Sequence, residues 1–420
     1  MKCISVGRAA RTAMLVGVAL VAATGVSGVA SAASMTDAGL DKRVSDLERE
    51  VALLKNRLKS ANDCDCDRIV RSGNSRVKVT VYGQVNRAVS LAFSNRDTQI
   101  VHVDNDASSS RLGFLARGQI SPEMTIAARI EVEWQENRRS NTDDTTDGNL
   151  RVRARKVEVW IGHKELGTLW LGHGDPASKD ADTVDLSGTD IVYGSGGCGD
   201  DGGLRFGPPN GNQGGGITFG AACANLDASR ENRIMYQTPE IMGFTARVSH
   251  GEQDKFEAGL FYEGTPFSKD LEIAAGLGYQ NSPGRGASDP ANGGRGNASA
   301  YNGSFAMLHN PSGLSLQMAG GRNVSHAGQT RVPRGEFWYV KIGWQGDLLS
   351  TGKTYTSIGL GRYDNMTADV HAYSIGFAVV QEIKAAATDV YAGIRYQDAK
   401  SGGVGQVAVV SLITGVRIKF

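Results

Sequence analysis

The hydrophobic pattern of the chain changes near residue 77. From there to the end, apolar residues occupy every second position in short segments. The last segment is typical, and one of its faces is apolar apart from one threonine: Phe420, Ile418, Val416, Thr414, Leu412, Val410 and Ala408. A period of two predicts β-strands with one apolar and one polar face.

Similar alternating segments recur at 79–93, 125–135, 336–345, 371–382 and 389–397, and helical periodicity is absent among them. Short polar turns alternate with long connections rich in Gly, Asp and Asn. The long connections include 137–149, 175–229 and 281–300. The pattern predicts an all-β domain from residue 77 to residue 420.

Three features indicate that the apolar face contacts lipid. Aromatic residues crowd the strand ends on that face, as in the girdles of membrane barrels: Phe93, Trp134, Trp344 and Tyr396. Connections of alternating length fit a barrel with two different rims. The polar face carries charged residues such as Arg129, Glu131 and Arg153, which a water-filled lumen tolerates and a dry core does not.

The number of strands follows from the length of this domain. A membrane-spanning strand needs about 9–11 residues, so about 21 residues per strand and connection give about 16 strands between residues 77 and 420. A closed barrel of that size leaves an aqueous channel. The expected fold is a 16-stranded antiparallel transmembrane β-barrel with an N-terminal coiled-coil helix.

The N-terminal residues 1–32 have the features of a secretory signal peptide. Lys2, Arg8 and Arg11 precede an apolar stretch from Ala13, and small residues end at Ala32. The stretch is too short for a good membrane helix, which needs about 20 residues. Export from the cytoplasm is therefore expected.

Residues 33–60 predict a periplasmic coiled coil. Apolar residues follow spacings of four and three over about three heptads: Leu40, Val44, Leu47, Val51, Leu54 and Leu58. A coiled coil of three helices is predicted, although valine at heptad position a and leucine at position d by themselves favour two helices. The alternative is a single amphipathic helix lying on its own domain. Residues 61–76 are predicted to be a linker.

The cysteines allow disulfides or, less naturally, a metal site. Cys64 and Cys66 stand among aspartates, but two thiols without a nearby His make a weak metal site, and crosslinking between chains is the alternative. Cys198 and Cys223 can close a disulfide within the connection 175–229. No metal and no cofactor are predicted.

The charge balance bears on the choice of partners. Loss of Lys2, Arg8 and Arg11 with the signal takes the formal net charge from +1 to −2. A near-neutral chain argues against nucleic acid as a partner. Lipid, small hydrophilic solutes and ions remain as the expected partners.

At this point the sequence resembles the Gram-negative general porin family. The resemblance rests on five segments and the terminal Phe420: VYGQVNRAV, SSRLGFLARGQISPEM, ELGTLWLGHGDPA, ENRIMYQTPEIMGFTARVSH and FAVVQEIKAAATDVYAGIRY. The last stretch is similar to alphaproteobacterial porins. The resemblance covers residues 77–420 and implies a homotrimer in the outer membrane. It also implies a third loop, 174–229, folded into each pore.

The resemblance further implies a constriction with a basic wall facing an acidic loop. Arg111 and Arg155 match wall arginines by motif, Arg151 and Arg153 share the face of Arg155, and Arg230 or Arg233 is a third candidate. Gln84 stands where some relatives have a basic residue. Candidate acids are Glu131 on the wall and four loop residues, although no PEFGG-type segment is present: Asp180, Asp182, Asp185 and Asp190.

These expectations predict a porin that passes small hydrophilic solutes and ions passively, because opposed charges across a narrow aqueous pore favour polar solutes. Two alternatives remain open: a substrate-selective channel, and an envelope tether made of barrel and coil. An enzyme is not expected, since the mature chain has no HExxH or GxSxG motif.

Overall fold

The computed structural model describes residues 73–93, 98–134, 137–142, 152–206, 217–282, 298–325, 335–364, 369–406 and 408–420. The predicted signal peptide, coiled coil and most of the linker lie outside the described residues, as does Arg151. Among the described residues, no helix has the length and apolar character needed to cross a membrane.

Strands dominate the structure. In chain order they are β1 (Val77–Phe93), β2 (Thr98–Asp104), β3 (Arg111–Gln119), β4 (Met124–Trp134), β5 (Val152–His163), β6 (Gly167–Gly174), β7 (Glu231–Gln237), β8 (Phe244–Gly251), β9 (Phe256–Gly264), β10 (Leu271–Ser282), β11 (Ala298–His309), β12 (Leu314–Ser325), β13 (Glu336–Leu349), β14 (Gly352–Asp364), β15 (Val370–Ile383), β16 (Thr388–Ser401), β17 (Val404–Gly405) and β18 (Val409–Lys419). In the described residues a short α-helix, α1, covers Phe219–Ala222.

The strands form one closed antiparallel barrel. The first and last strands pair from Gln84 opposite Lys419 to Phe93 opposite Val410, which closes the sheet. Strands β2 and β3 both pair with β1 and form one interrupted wall strand, and β17 and β18 both pair with β16. The 18 segments therefore make 16 wall strands, which confirms the predicted barrel.

Side chains alternate between the two faces of the wall as the sequence predicts. Trp338 is 44% exposed on the outer surface, whereas its neighbour Tyr339 is 2% exposed inside. Across β13–β16 one outward row consists only of large apolar residues: Ile342, Ile358, Phe377 and Ile394. Phe420 ends this wall beside Gly83, with two backbone hydrogen bonds of 2.9 and 3.0 Å.

The described parts of the long connection 175–230, here called the covering loop, lie inside the barrel against the inner face of β9–β16. Ser304 Oγ donates to the carbonyl oxygen of Ala181 (2.7 Å), and the hydroxyls of Thr189 and Ser357 are 2.7 Å apart. Tyr363 Oη donates to the carbonyl oxygen of Ser195 (2.9 Å). The buried apolar core of the protein lies between this loop and the wall.

Glycines on the wall let the loop backbone come close. A Cβ atom at Gly259 would lie 2.2 Å from the carbonyl oxygen of Ala177, and one at Gly276 would lie 2.7 Å from that of Ala181. Both distances are far below van der Waals contact, so larger residues would displace the loop.

Buried ion pairs fix the far part of the loop. Lys341 on β13, 1% exposed, forms an ion pair with Asp185 (2.6 Å) and donates to the carbonyl oxygen of Tyr193 (2.8 Å). Arg139 forms hydrogen bonds of 2.7 and 3.1 Å to the two carboxylate oxygens of Asp201. These contacts hold the loop on one side of the lumen and, within the described part of the chain, leave the inner face of β3–β6 open.

Candidate pore constriction

The interruption between β2 and β3 carries backbone into the lumen. Gln84 Nε2 donates to the carbonyl oxygens of Ser108 (2.7 Å) and Ser109 (2.9 Å). Asn86 Nδ2 donates to the carbonyl oxygens of Asn105 (3.1 Å) and Ser108 (2.9 Å). Gln84, at the position where some relatives are basic, is therefore a support for this inward segment.

A β-bulge places two adjacent cations in the lumen. Glu131 pairs with Lys156 and Val132 pairs with Ala154, so Arg155 is an extra residue in β5. Beyond the bulge, Val157 and Val159 face outward. The extra residue interrupts the alternation, and Arg155 and Lys156 both bond to groups in the lumen.

Four side chains next to the bulge form a group that we call the wall cluster: Arg111, Glu131, Glu133 and Arg155. Arg155 Nε lies 2.6 Å from Glu131 Oε1, and its Nη1 lies 3.0 Å from Glu133 Oε2. Arg111 Nη1 lies 3.9 Å from Glu131 Oε1 and anchors to Ser108 and Ser109 (2.9 and 3.2 Å). The two arginines sit close together because the carboxylates offset their repulsion.

Tyr82 completes the surroundings of Glu131. Its ring crosses over Gly113, where a Cβ atom would lie 2.3 Å from the ring, and its hydroxyl donates to Glu131 Oε2 (2.7 Å). The glycine thus lets β1 reach across β3 to a carboxylate on β4.

A second charged group lies below the wall cluster, towards the rim with the short turns. Glu158 accepts from Arg129 Nε (2.9 Å) and from Arg233 Nη2 (2.6 Å). Arg233 also donates to the carbonyl oxygens of Gly172 (3.0 Å) and Asp175 (2.9 Å) and is 1% exposed. Arg233 therefore braces the wall and the start of the covering loop.

Arg230 and Arg153 occupy different places. Arg230 Nε lies 2.9 Å from Asp175 at the start of the covering loop, and Lys156 pairs with the same carboxylate. Arg153 is exposed and lies opposite Glu133 in the β4–β5 pair. The structure thus brings Arg111, Arg153, Arg155 and Arg230 to the open wall.

The four loop aspartates have other neighbours. Asp180 and Asp190 are exposed, and Asp180 lies 3.2 Å from Lys179. Asp182 is fully buried and accepts from the backbone N–H of Leu226 (2.9 Å), while Asp185 pairs with Lys341. The carboxylates that pair with Arg111 and Arg155 in the described structure belong to the wall.

Sequence reasoning missed Lys156 and Glu158 as members of the site. Strict alternation places Lys156 on the lipid side when Arg155 faces the lumen, and the bulge reverses this. Cys223 is disulfide-bonded, whereas the Cys198 side chain lies outside the described residues, so the pairing of these two residues stays a prediction. Among the described residues, no group of metal-ligating side chains occurs.

Comparison with known proteins adds a family and a fold. The family model of the Gram-negative porins matches residues 18–402. The solved trimer form of OmpT, an outer membrane protein of Vibrio cholerae, is 16% identical, with 82% of this chain and 100% of that chain covered and a TM-score of 0.50.

Two further solved structures are similar. The anion-selective porin of Comamonas acidovorans is 15% identical over 82% of this chain and 100% of that one, with a TM-score of 0.53. OprB of Pseudomonas putida is 11% identical over 81% and 94%, with a TM-score of 0.56. At these identities the structures establish the shared fold. A search of the curated proteins finds no match.

Asp182 makes the packing of the covering loop dependent on pH. Burial raises the pKa of its carboxyl from 3.8 to about 6. The folded protein therefore binds this proton more tightly than the unfolded chain, and the associated stability is present at low pH and lost as pH rises through about 6. Acidification from pH 7 to pH 4 should stabilise the wild type relative to Asp182→Asn by about 2 kcal/mol.

The check is chemical unfolding in lipid vesicles, followed by tryptophan fluorescence, at several pH values. Asp180→Asn, which changes an exposed carboxylate on the same loop, is the control. Identical pH profiles for the wild type and Asp182→Asn would contradict the prediction.

Proposed function

The chain belongs to the Gram-negative porin family, and from this premise we propose how its own residues control the passage of solutes. The protein is an outer-membrane porin, a barrel with a water-filled channel for passive diffusion. Its family and fold are those of channels. The proposals below concern the constriction, the assembly and the N-terminal segment.

The constriction is proposed to lie between the wall cluster and the covering loop. The observation that carries this proposal is the dense alternation of Arg111, Glu131, Arg155 and Glu133 on an open wall opposite a wall covered by the loop. Arg153 and Arg230 extend the basic side, and Arg151 is proposed to join it. On the loop, the exposed Asp180 and Asp190 supply negative charge.

Two of the proposed constriction aspartates affect the pore indirectly, because they hold the covering loop in position. Asp182 and Asp185 are buried against Leu226 and Lys341 and fix the position of the loop backbone. Arg233 acts in the same way through Glu158. The width of the pore then depends on these buried contacts, and its field depends on the exposed charges.

Opposed charges across a narrow lumen orient water and polar solutes. Apolar solutes displace that ordered water without replacing its hydrogen bonds, so they pass poorly. Ions respond to the local net charge of the constriction, and this net charge is small because the arginines are paired with carboxylates. This reasoning supports a general pore with weak ion preference.

Neutralising the two wall arginines should shift the ion preference towards cations. In Arg111→Gln/Arg155→Gln, Glu131 and Glu133 lose their cationic partners, so the constriction becomes negative. The ratio of chloride to potassium permeability should fall by a factor of about 5, or about 1 kcal/mol. The measurement is the reversal potential across a planar bilayer under a KCl gradient.

Arg362→Gln is the control for this experiment, because Arg362 lies on the outer surface beside Asp364. It should leave the reversal potential unchanged. An unchanged potential in the double variant would remove both arginines from the constriction.

The protein is proposed to act as a homotrimer. Arg87 points outward opposite Val416 on one side and Asp104 on the other. Its Nη1 lies 4.0 Å from Asp104 Oδ2, and its side chain is 46% exposed. It lies four residues beyond Gly83 and hence about 13 Å along the strand from Phe420. A lipid-facing arginine there costs about 2–4 kcal/mol near the midplane, which favours coverage by another subunit. The trimer form of V. cholerae OmpT supports this assembly.

Substitution of Arg87 distinguishes a subunit interface from a lipid contact. In lipid, Arg87→Leu removes a charge from the barrel surface and the ion pair with Asp104 but no contact between subunits, so the trimer should dissociate at the same temperature. In an interface, the loss of a buried charged partner should weaken the trimer by about 2–5 kcal/mol. We expect the heat-resistant trimer on unboiled gels to dissociate at a lower temperature. Arg362→Leu is the matched control, and an unshifted Arg87→Leu trimer would contradict the interface.

Residues 33–60 are proposed to form a periplasmic coiled coil that supports the trimer. The support is the heptad pattern Leu40 to Leu58. A helix of three heptads is marginal alone, so association with partner chains supplies its stability. A chain without residues 33–60 should therefore show trimers that dissociate at a lower temperature on unboiled gels. Trimers of unchanged heat resistance would show that the segment has another role.

A further inference from the structure

Two tryptophans stack on each other inside the lumen. Trp160 on β5 and Trp170 on β6 are directly opposite in the strand pair, with ring centroids 4.3 Å apart and planes inclined by 25°. Val159 and Leu171 beside them face outward, so both indoles lie on the inner face. Both are partly exposed. We call them the tryptophan pair.

The tryptophan pair lies between the constriction and the rim with the short turns. Only three residues, 164–166, connect β5 and β6 beyond it. The cross-strand row of Trp160 and Trp170 lies two residues closer to that rim than the row of Arg129 and Glu158. That row in turn lies two residues closer to the rim than the row of Glu131 and Lys156. A solute that leaves the constriction towards the short-turn rim, which is the periplasmic side of such barrels, meets this surface next.

Cations lie over the tryptophan pair and along its cross-strand row, and the guanidinium of Arg233 lies 6.0 Å from the centre of the Trp170 ring. The guanidinium of Arg129 lies 5.7 Å from the centre of the Trp160 ring and is 24% exposed. The cross-strand row of Trp160 runs through Ala127 to Arg117 and then Lys78, and both of these cations are exposed. Within the part of the chain that the structure describes, neither has a carboxylate partner.

Folding stability does not account for this arrangement. Both rings pack beside the buried Ala127 and Met235 in their cross-strand row, but they stay partly exposed and leave hydrophobic surface in contact with water. The indole nitrogen of Trp170 is enclosed and has no hydrogen-bond partner among the described residues, which costs further free energy. The tryptophan pair lies beside Arg129, which also binds Glu158, and on the same face as the unpaired Arg117 and Lys78, so an aromatic surface stands beside positive charge.

We propose that Trp160, Trp170, Arg129 and Arg117 form a binding platform for planar aromatic carboxylates. The ring of the solute stacks on an indole, and its carboxylate accepts hydrogen bonds from the guanidinium groups. The proposal rests on the porin function, since it assigns a solute class to the same lumen. It makes the channel a general pore that favours one class of anion.

The test uses benzoate and cyclohexanecarboxylate as probes. The two acids carry the same charge and have similar size, but only benzoate has a flat aromatic ring. With the wild-type channel in a planar bilayer and KCl on both sides, benzoate should reduce the conductance at about 10-fold lower concentration than cyclohexanecarboxylate. Equal effects of the two acids would overturn the proposal without the need for any variant.

Variants then locate the effect. In Trp160→Leu/Trp170→Leu, with each channel normalised to its own conductance in KCl, the preference for benzoate should disappear. Trp338→Leu, which removes an outward-facing tryptophan, should keep it. A preference that survives in the double variant would place binding elsewhere and overturn the platform.

The outcomes separate the platform from the porin function itself. Folded wild-type protein without conductance in KCl would contradict the pore and the platform together. Normal conductance without preference for benzoate would contradict the platform alone.

Discussion

A charge enclosed by protein needs a partner of opposite sign, and the arrangement of the lumen follows from this constraint. On the open wall, Glu158 accepts from two arginines, and Arg155 lies within reach of two carboxylates. Each carboxylate allows another arginine to approach without net repulsion. A dense set of charges can therefore line a narrow passage and still leave the wall stable.

The same constraint fixes the covering loop on the opposite side. Lys341 and Arg139 are almost completely buried, and each is matched by a loop carboxylate, Asp185 or Asp201. Removal of one partner would strand a buried charge, which is far more costly than the loss of a surface ion pair. The loop consequently has one position, and the lumen is divided into a closed half and an open half. The open half is where solutes pass.

The sequence was sufficient for the alternation of most wall strands and insufficient for the bulge in β5 and for the packing of the covering loop. Alternation predicted the outward position of Trp338 and the inward position of Tyr339, because a period of two depends only on local backbone geometry. It could not predict the bulge at Arg155, where one extra residue brings Lys156 into the lumen. The partners of Asp182 and Asp185 depend on how a long loop packs, and no local pattern encodes that packing.

A channel that binds its solutes must also release them, and the position of the tryptophan pair satisfies both needs. The pair lines one side of the open half, so a ring stacked there keeps water on its other face. Binding of this kind is weak, with dissociation constants of about 1 mM or higher, because only one face of the solute is desolvated. Weak binding raises the local concentration of a solute beside the constriction and still permits rapid exit. In this way a general pore favours one solute class while it remains open to others.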